Sequence, residues 1–272
     1  MRLLAVLLLA ATACAQDVSF LCPMDPEIRS PGPGRCSRCG MKLEAGLPEP
    51  LEYRLRVETL PAVPRSGRTT RIRFSILHPA TGKPVRQFSE IHEKLFHLFL
   101  IGEDLSYFSH LHPEQQPDGS FLLYTVFPRA GQYRLLADFY PSGATPQLLT
   151  GTVIVAEGPV ESVPPAPSNT TIRLRSDPAE PVAGLTTMLF FDFSSTEGLT
   201  PWLGAWAHLL VASSDLLDLI HLHPQWELQP DIAPTVQFNV IFPRPGSYKL
   251  WVQFQRNGII NTHPVEIVVK PL

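Results

Sequence analysis

The chain has 272 residues, 44% hydrophobic and 9% aromatic, with a formal net charge of −3. This length suffices for two or three domains with real cores, and the charge supplies neither the basic footprint of a nucleic-acid binder nor an acidic tail. The 29 prolines oppose long helices and suit short strands joined by turns.

In chain order, the first element is a targeting segment, residues 1–15. Arg2 gives a positive start, Leu3 to Leu9 an apolar run, and Ala11-Thr12-Ala13-Cys14-Ala15 a small-residue cleavage region. Cleavage after Ala15 releases a soluble chain starting at Gln16; the alternative is lipid attachment at Cys14, the only route by which a membrane is expected as a partner. Both routes predict a periplasmic or secreted protein. The apolar run is too short to span a bilayer, and later apolar stretches are strand-sized.

Residues 17–46 hold every remaining cysteine, as Cys22-Pro23-Met24 and Cys36-Ser37-Arg38-Cys39-Gly40-Met41. Thiolates and thioethers are soft ligands that prefer Cu(I), and thiolates also suit Zn(II). A Cys-x-x-Cys spacing lets two sulfurs converge on one ion around a tight turn, and the turn-rich Ser30-Pro31-Gly32-Pro33-Gly34 folds Cys22 back toward that pair. The competing reading is a disulfide, which three cysteines leave with one thiol over. The segment from Phe20 to Arg29, with Gly32-Pro33-Gly34-Arg35-Cys36 and Cys39-Gly40-Met41-Lys42-Leu43, resembles the heavy-metal-binding domain of copper-efflux adaptor proteins and some metal-transporting ATPases. The resemblance implies binding of copper, with zinc or silver as alternatives, by Cys22, Cys36 and Cys39, with Met24 and Met41 as candidate soft ligands. It also implies, as partner, another envelope protein of metal efflux or delivery. Two positions depart from the family pattern: Asp25 stands where a histidine is usual, and Ser37 where a proline is usual.

Residues 50–157 and 169–271 form two copies of one module, joined by a Pro-rich extended linker over 158–168. His97, Asp104, His110 and His112 return at an offset of 111 as His208, Asp215, His221 and His223. Phe127-Pro128-Arg129, Gly131 and Tyr133 return at 115 as Phe242-Pro243-Arg244, Gly246 and Tyr248, so four residues are inserted between the blocks. Tyr53, Leu55 and Val57 alternate with charged residues, and Asp118-Gly119 signals a hairpin turn. The expected fold class is mainly β, a short Cys/Met motif followed by two Ig-like β-sandwich repeats with a tyrosine corner at Tyr133 and Tyr248. A cupredoxin-like pattern is equally compatible, but without a cysteine beyond residue 39 neither module offers a blue-copper site.

The repeated histidines are the second candidate metal set: His97, His110 and His112 in one module, His208, His221 and His223 in the other. If Glu103-Asp104 is a two-residue turn, His97 lies directly opposite His110, and His112 shares their face by the period of two. Three imidazoles are a normal set for Zn(II) or Cu(II); the competing reading is a structural strand end with its imidazoles bonded to backbone. His78, His92 and His263 have no repeat counterpart and are expected at surface or structural positions. Trp202, Trp206 and Trp226 are expected in core packing rather than on a ligand surface. No hydrolase, zincin or phosphate-loop motif occurs. The expected function is metal buffering, delivery or resistance without catalysis; the alternatives are an extracytoplasmic scaffold protein and a His-ligated copper enzyme.

Overall fold

The structure is a computed structural model, described over residues 20–24, 28–37, 41–46, 51–160, 171–224 and 234–272. The expected leader over residues 1–15, with Cys14, lies outside the described residues, as do Asp25, Cys39, Trp226 and residues 161–168 of the linker. Every regular element in the described chain is a β-strand.

Each module is two antiparallel sheets closed over a core. In the first, Arg54–Leu60, Thr69–Leu77, Phe121–Val126 and Glu114–Gln115 form one sheet in that order. The facing sheet runs Gln147–Val155, Gly131–Pro141, Phe96–Gly102, Phe108–Leu111. In the second, Ile172–Asp177, Thr186–Phe193 and Thr235–Ile241 face a sheet in which Gly246–Arg256 pairs on one side with Ile259–Val269 and on the other with His208–Ser213, followed by Leu219–Leu222. Alternation sends Ile72, Phe74 and Ile76 into the first core against Leu98, Leu100 and Leu135. Leu189, Phe191 and Phe238 meet Leu209, Leu250 and Val252 in the second. Both tyrosine corners form: the Tyr133 hydroxyl donates to the Arg129 carbonyl at 2.9 Å, and that of Tyr248 to the Arg244 carbonyl at 2.8 Å.

Phe96–Gly102 and His208–Ser213 are buried at every position. A strand alternates its side chains between two faces, so full burial means that both faces are covered. One face fills the strand's own sandwich; the other packs against the neighbouring module. Phe99, Ile101, Leu136, Leu210, Ala212, Leu216, Leu219 and Trp251 make a shared apolar cluster there, and Phe108 stacks on Trp251 with ring centroids 4.8 Å apart. The two modules are thus docked sheet to sheet.

The turn between the first module's central and edge strands differs from the expected two-residue Glu103-Asp104 turn. The ladder pairs Leu98 with Leu111 and Phe99 with His110, and Gly102 bonds to the Tyr107 carbonyl. Four residues, Glu103 to Ser106, form the loop, with Leu105 left-handed at φ 57 and Asp104 accepting from the Ser106 backbone N–H at 2.9 Å. This local bond favours the wider turn. His110 therefore lies opposite Phe99, not His97. The register moves by two residues, which returns every side chain to its expected face, whereas a shift of one would have scattered the histidines.

Candidate metal centre

The sheet faces that meet between the modules carry the repeated histidines. His97 lies on the first module's central strand beside Asp138, and His110 on the neighbouring edge strand, with His112 just beyond it. In the second module His208 lies beside Gln253, and His221 and His223 follow the same plan. Within each triad one ligand nitrogen per residue lies within 4.8 Å of the others. Nitrogens sharing a tetrahedral zinc stand about 3.3 Å apart, so small side-chain rotations close either triad on an ion.

Hydrogen bonds decide which nitrogens face inward. His97 Nε2 is 2.8 Å from the Ile91 carbonyl, and His208 Nε2 is 3.1 Å from the Trp202 carbonyl. Each ring thereby donates outward and turns Nδ1 toward its triad. His110 Nδ1 is 2.8 Å from Gln253 Oε1, and His221 Nδ1 is 2.7 Å from Asp138 Oδ2, which leaves Nε2 inward in both. These last two bonds cross between the modules reciprocally, as at a two-fold interface. Backbone carbonyls, amides and carboxylates holding the outer nitrogen of an imidazole are the usual outer shell of a metal-ligating histidine.

The inward nitrogens lack sufficient partners. His112 Nε2, His208 Nδ1, His221 Nε2 and His223 Nε2 are buried without a hydrogen bond. Only His97 Nδ1 and His110 Nε2 meet each other, at 3.0 Å. A buried polar atom left unpaired costs about 1–3 kcal/mol, and four in one place is a cost that a bound cation removes. Burial, then repulsion from neighbouring imidazolium, holds the rings neutral: His97 is pushed down to about 4, His112 to about 3, and His110, His208 and His223 well below the ordinary range. Neutral imidazole is the form that ligates. The structural reading in which these rings bond only to backbone accounts for His97 and His208 on one nitrogen each, not for the inward set.

His92, expected at a surface or structural position, lies instead against the second module's triad. Its ring stacks on His223 at 3.6 Å between centroids and stands 5.7 Å from His208. No repeat signal marks it, since Leu203 occupies the matching position, and only the docking of the modules brings it to the cluster. His78 rests edge-on against Tyr53, and His263 lies in Ile259–Val269; neither joins it. Trp202 packs against His110, His112 and His208 and so walls the centre, while Trp206 packs on the second core.

The Cys/Met segment is a three-stranded sheet of Phe20–Leu21, Arg29–Ser30 and Glu44–Ala45. Cys22 and Cys36 are buried in one small cluster with Leu43, against which Phe20, Met24 and Ile28 pack. Backbone bonds from Cys22 to Ile28 at 3.0 Å and from Cys36 to Met41 at 2.7 Å shape the two loops. Cys22 and Cys36 form no disulfide with each other. Met41 is buried with Ile91 and Tyr140 of the first module, and Met24 packs on that same cluster. Ile91 is the residue whose carbonyl holds His97, so the methionines and the histidine centre share a neighbour.

The family model for a domain of unknown function, DUF8832, matches residues 51–156 and again 167–271, which together exceed half of the chain. The chain belongs to the DUF8832 family. Residues 20–45 match the heavy metal binding domain model, so the N-terminal segment is a heavy-metal-binding domain. No curated protein sequence matches the chain. Similar solved structures include FdeC, an Escherichia coli adhesin, at 17% identity over 85% of this chain and 70% of that one, with a TM-score of 0.28. A DUF4785 family protein of Legionella pneumophila shares 14% identity over 80% of this chain and 56% of its own, with a TM-score of 0.30. A bacterial ice-binding adhesin shares 11% over 82% and 66%, with a TM-score of 0.27. These TM-scores are too low to bear on function.

Proposed function

We propose that this DUF8832 protein is an exported, non-catalytic metal binder that buffers or delivers copper or zinc. The heavy-metal-binding domain captures a soft ion through Cys22, Cys36, Cys39, Met24 and Met41, and the histidine centre between the modules holds a borderline one, Cu(II) or Zn(II). The observation that carries this reading is the set of buried, unpartnered imidazole nitrogens facing one another in both triads. The leader at residues 1–15 supports export to the periplasm or beyond, soluble or lipidated at Cys14, where a protein of metal efflux or delivery is the natural partner.

The test is metal titration of the mature protein under reducing conditions, with elemental analysis after dialysis. Ions retained at the cysteine motif and at the histidine centre, the latter lost when His97, His110, His112, His208, His221 and His223 are all replaced by alanine, are expected. A chain that keeps no copper and no zinc contradicts the proposal.

A further inference from the structure

The two triads share one plan, but their surroundings differ at two matched positions. Where the first module has His92, the second has Leu203. The backbone is the same at both, left-handed with φ 46 at His92 and φ 50 at Leu203, so the turn is a feature of the module and only the side chain differs. Where the first module has Asp138, the second has Gln253. Because each module supplies the other's outer contacts, both differences fall on the same triad: His92 and Asp138 belong to the first module and serve His208, His221 and His223 of the second.

His92 lies outside the group whose nitrogens already stand within 4.8 Å of one another, but it has the marks of a fourth ligand that closes on the site by leaving its stack on His223. Its Nε2 is buried without a hydrogen-bond partner. Its Nδ1 faces the Leu203–Gly204 turn of the second module. The ring is thus oriented as His97 and His208 are by Ile91 and Trp202, with one nitrogen toward a turn and the other, here Nε2, inward. His223 Nε2 is buried, so an ion reaches it past a neighbour. His92 is that neighbour, for it also lines the cleft whose other walls include Met41 of the heavy-metal-binding domain and Tyr140.

Resting on the metal-binding function proposed above, we infer that the second-module site is a four-histidine centre completed from the first module by His92, which is also the ligand an ion meets on entering from the Met41 side. The site is assembled only when the modules are docked, and it binds more tightly than its three-histidine counterpart. The extra imidazole supplies one reason. The other is that the Asp138 carboxylate makes His221 a better donor than the Gln253 amide makes His110.

The experiment is a Zn(II) competition titration of the full chain carrying C22S, C36S and C39S, so that zinc reports the histidines alone. The unaltered histidine set is expected to take two ions with constants at least about ten-fold apart, the scale on which shell residues tune metal affinity. His92→Leu, which copies the second module, is expected to weaken the tighter constant about 10- to 100-fold and leave the weaker one in place. His92→Asn, which keeps a polar side chain at the Leu203–Gly204 turn but no imidazole, is expected to do the same, and it separates ligation from a merely structural role should the leucine variant unfold. His78→Leu is expected to change neither constant. Two bound ions with constants that His92→Asn leaves unmoved would overturn this inference and spare the function proposed above. A chain that binds no zinc would overturn both.

Discussion

The two modules are copies in fold and differ in what they give each other. The first offers its neighbour an imidazole and a carboxylate; the second returns a leucine and an amide. A duplicated module docked on itself begins with two equal sites, because each half sees the same surface. Substitutions at positions that reach across then act on the opposite site, so the two sites diverge while each module keeps its own triad. The lesson is that the chemistry of a site here is set by the partner module's residues, and the comparison should be attacked at the interface first.

The largest effect is expected from the interface itself. Phe99 is buried in the shared cluster, with its ring 4.2 Å from that of His110 and 4.7 Å from that of His221. Phe99→Ala opens a cavity between imidazoles of both modules and is expected to cost about 3–5 kcal/mol in chemical denaturation. Tyr124→Ala, on the exposed face of the same module, is expected to stay within about 0.5 kcal/mol. Equal effects would mean that the modules do not depend on each other.

Acid comes next. The histidines held below their ordinary value are more easily protonated in the unfolded chain, so the metal-free protein loses stability as pH falls from about 6.5 toward about 4. For His97 alone, each unit of displacement is worth about 1.4 kcal/mol. Thermal unfolding between pH 7 and pH 5 is expected to show a falling midpoint without metal and a flatter one with zinc bound. A midpoint flat in both would show that the rings are not held neutral by burial.

Finer tests separate the outer contacts. Asp138→Asn is expected to weaken zinc at the second module's triad by about ten-fold or more, and Gln253→Ala to weaken the first module's by less; the titration used for His92 reads both. The smallest effect is expected at the tyrosine corners. Tyr133→Phe removes the bond donated to the Arg129 carbonyl and the one accepted from the Arg129 N–H, each worth about 0.5–1.5 kcal/mol. Tyr248→Phe is expected to cost somewhat more, because its hydroxyl also lies 2.9 Å from Asp218, where the first module has Tyr107.

Much of this was legible in the sequence. The repeat offsets, the alternation along Thr69–Leu77 and the Gly-x-Tyr entries follow from local periodicity, and local periodicity is what a sandwich is built from. The triads were legible because His110 and His112, like His221 and His223, sit two apart on one strand face. The hairpin register was not: Asp104 captures the Ser106 backbone and widens the turn, a choice between near-equal loops that spacing does not settle. The face survived because the error was an even number of residues. His92 was illegible for a different reason. Its role depends on a second module brought beside it from more than a hundred residues away, and it breaks the very repeat that marked the other histidines. The continuous burial of Phe96–Gly102 carried the missing clue, since a run of His-Leu-Phe-Leu-Ile suits a strand covered on both faces.

Zinc X-ray absorption on the full chain carrying C22S, C36S and C39S tests the central claim most directly. The account predicts retained zinc with a first shell of nitrogen at about 2.0–2.1 Å and the outer-shell scattering of imidazole, both lost when the six repeated histidines are replaced. Zinc that washes out, or that stays with an oxygen shell and no imidazole signature, would contradict it.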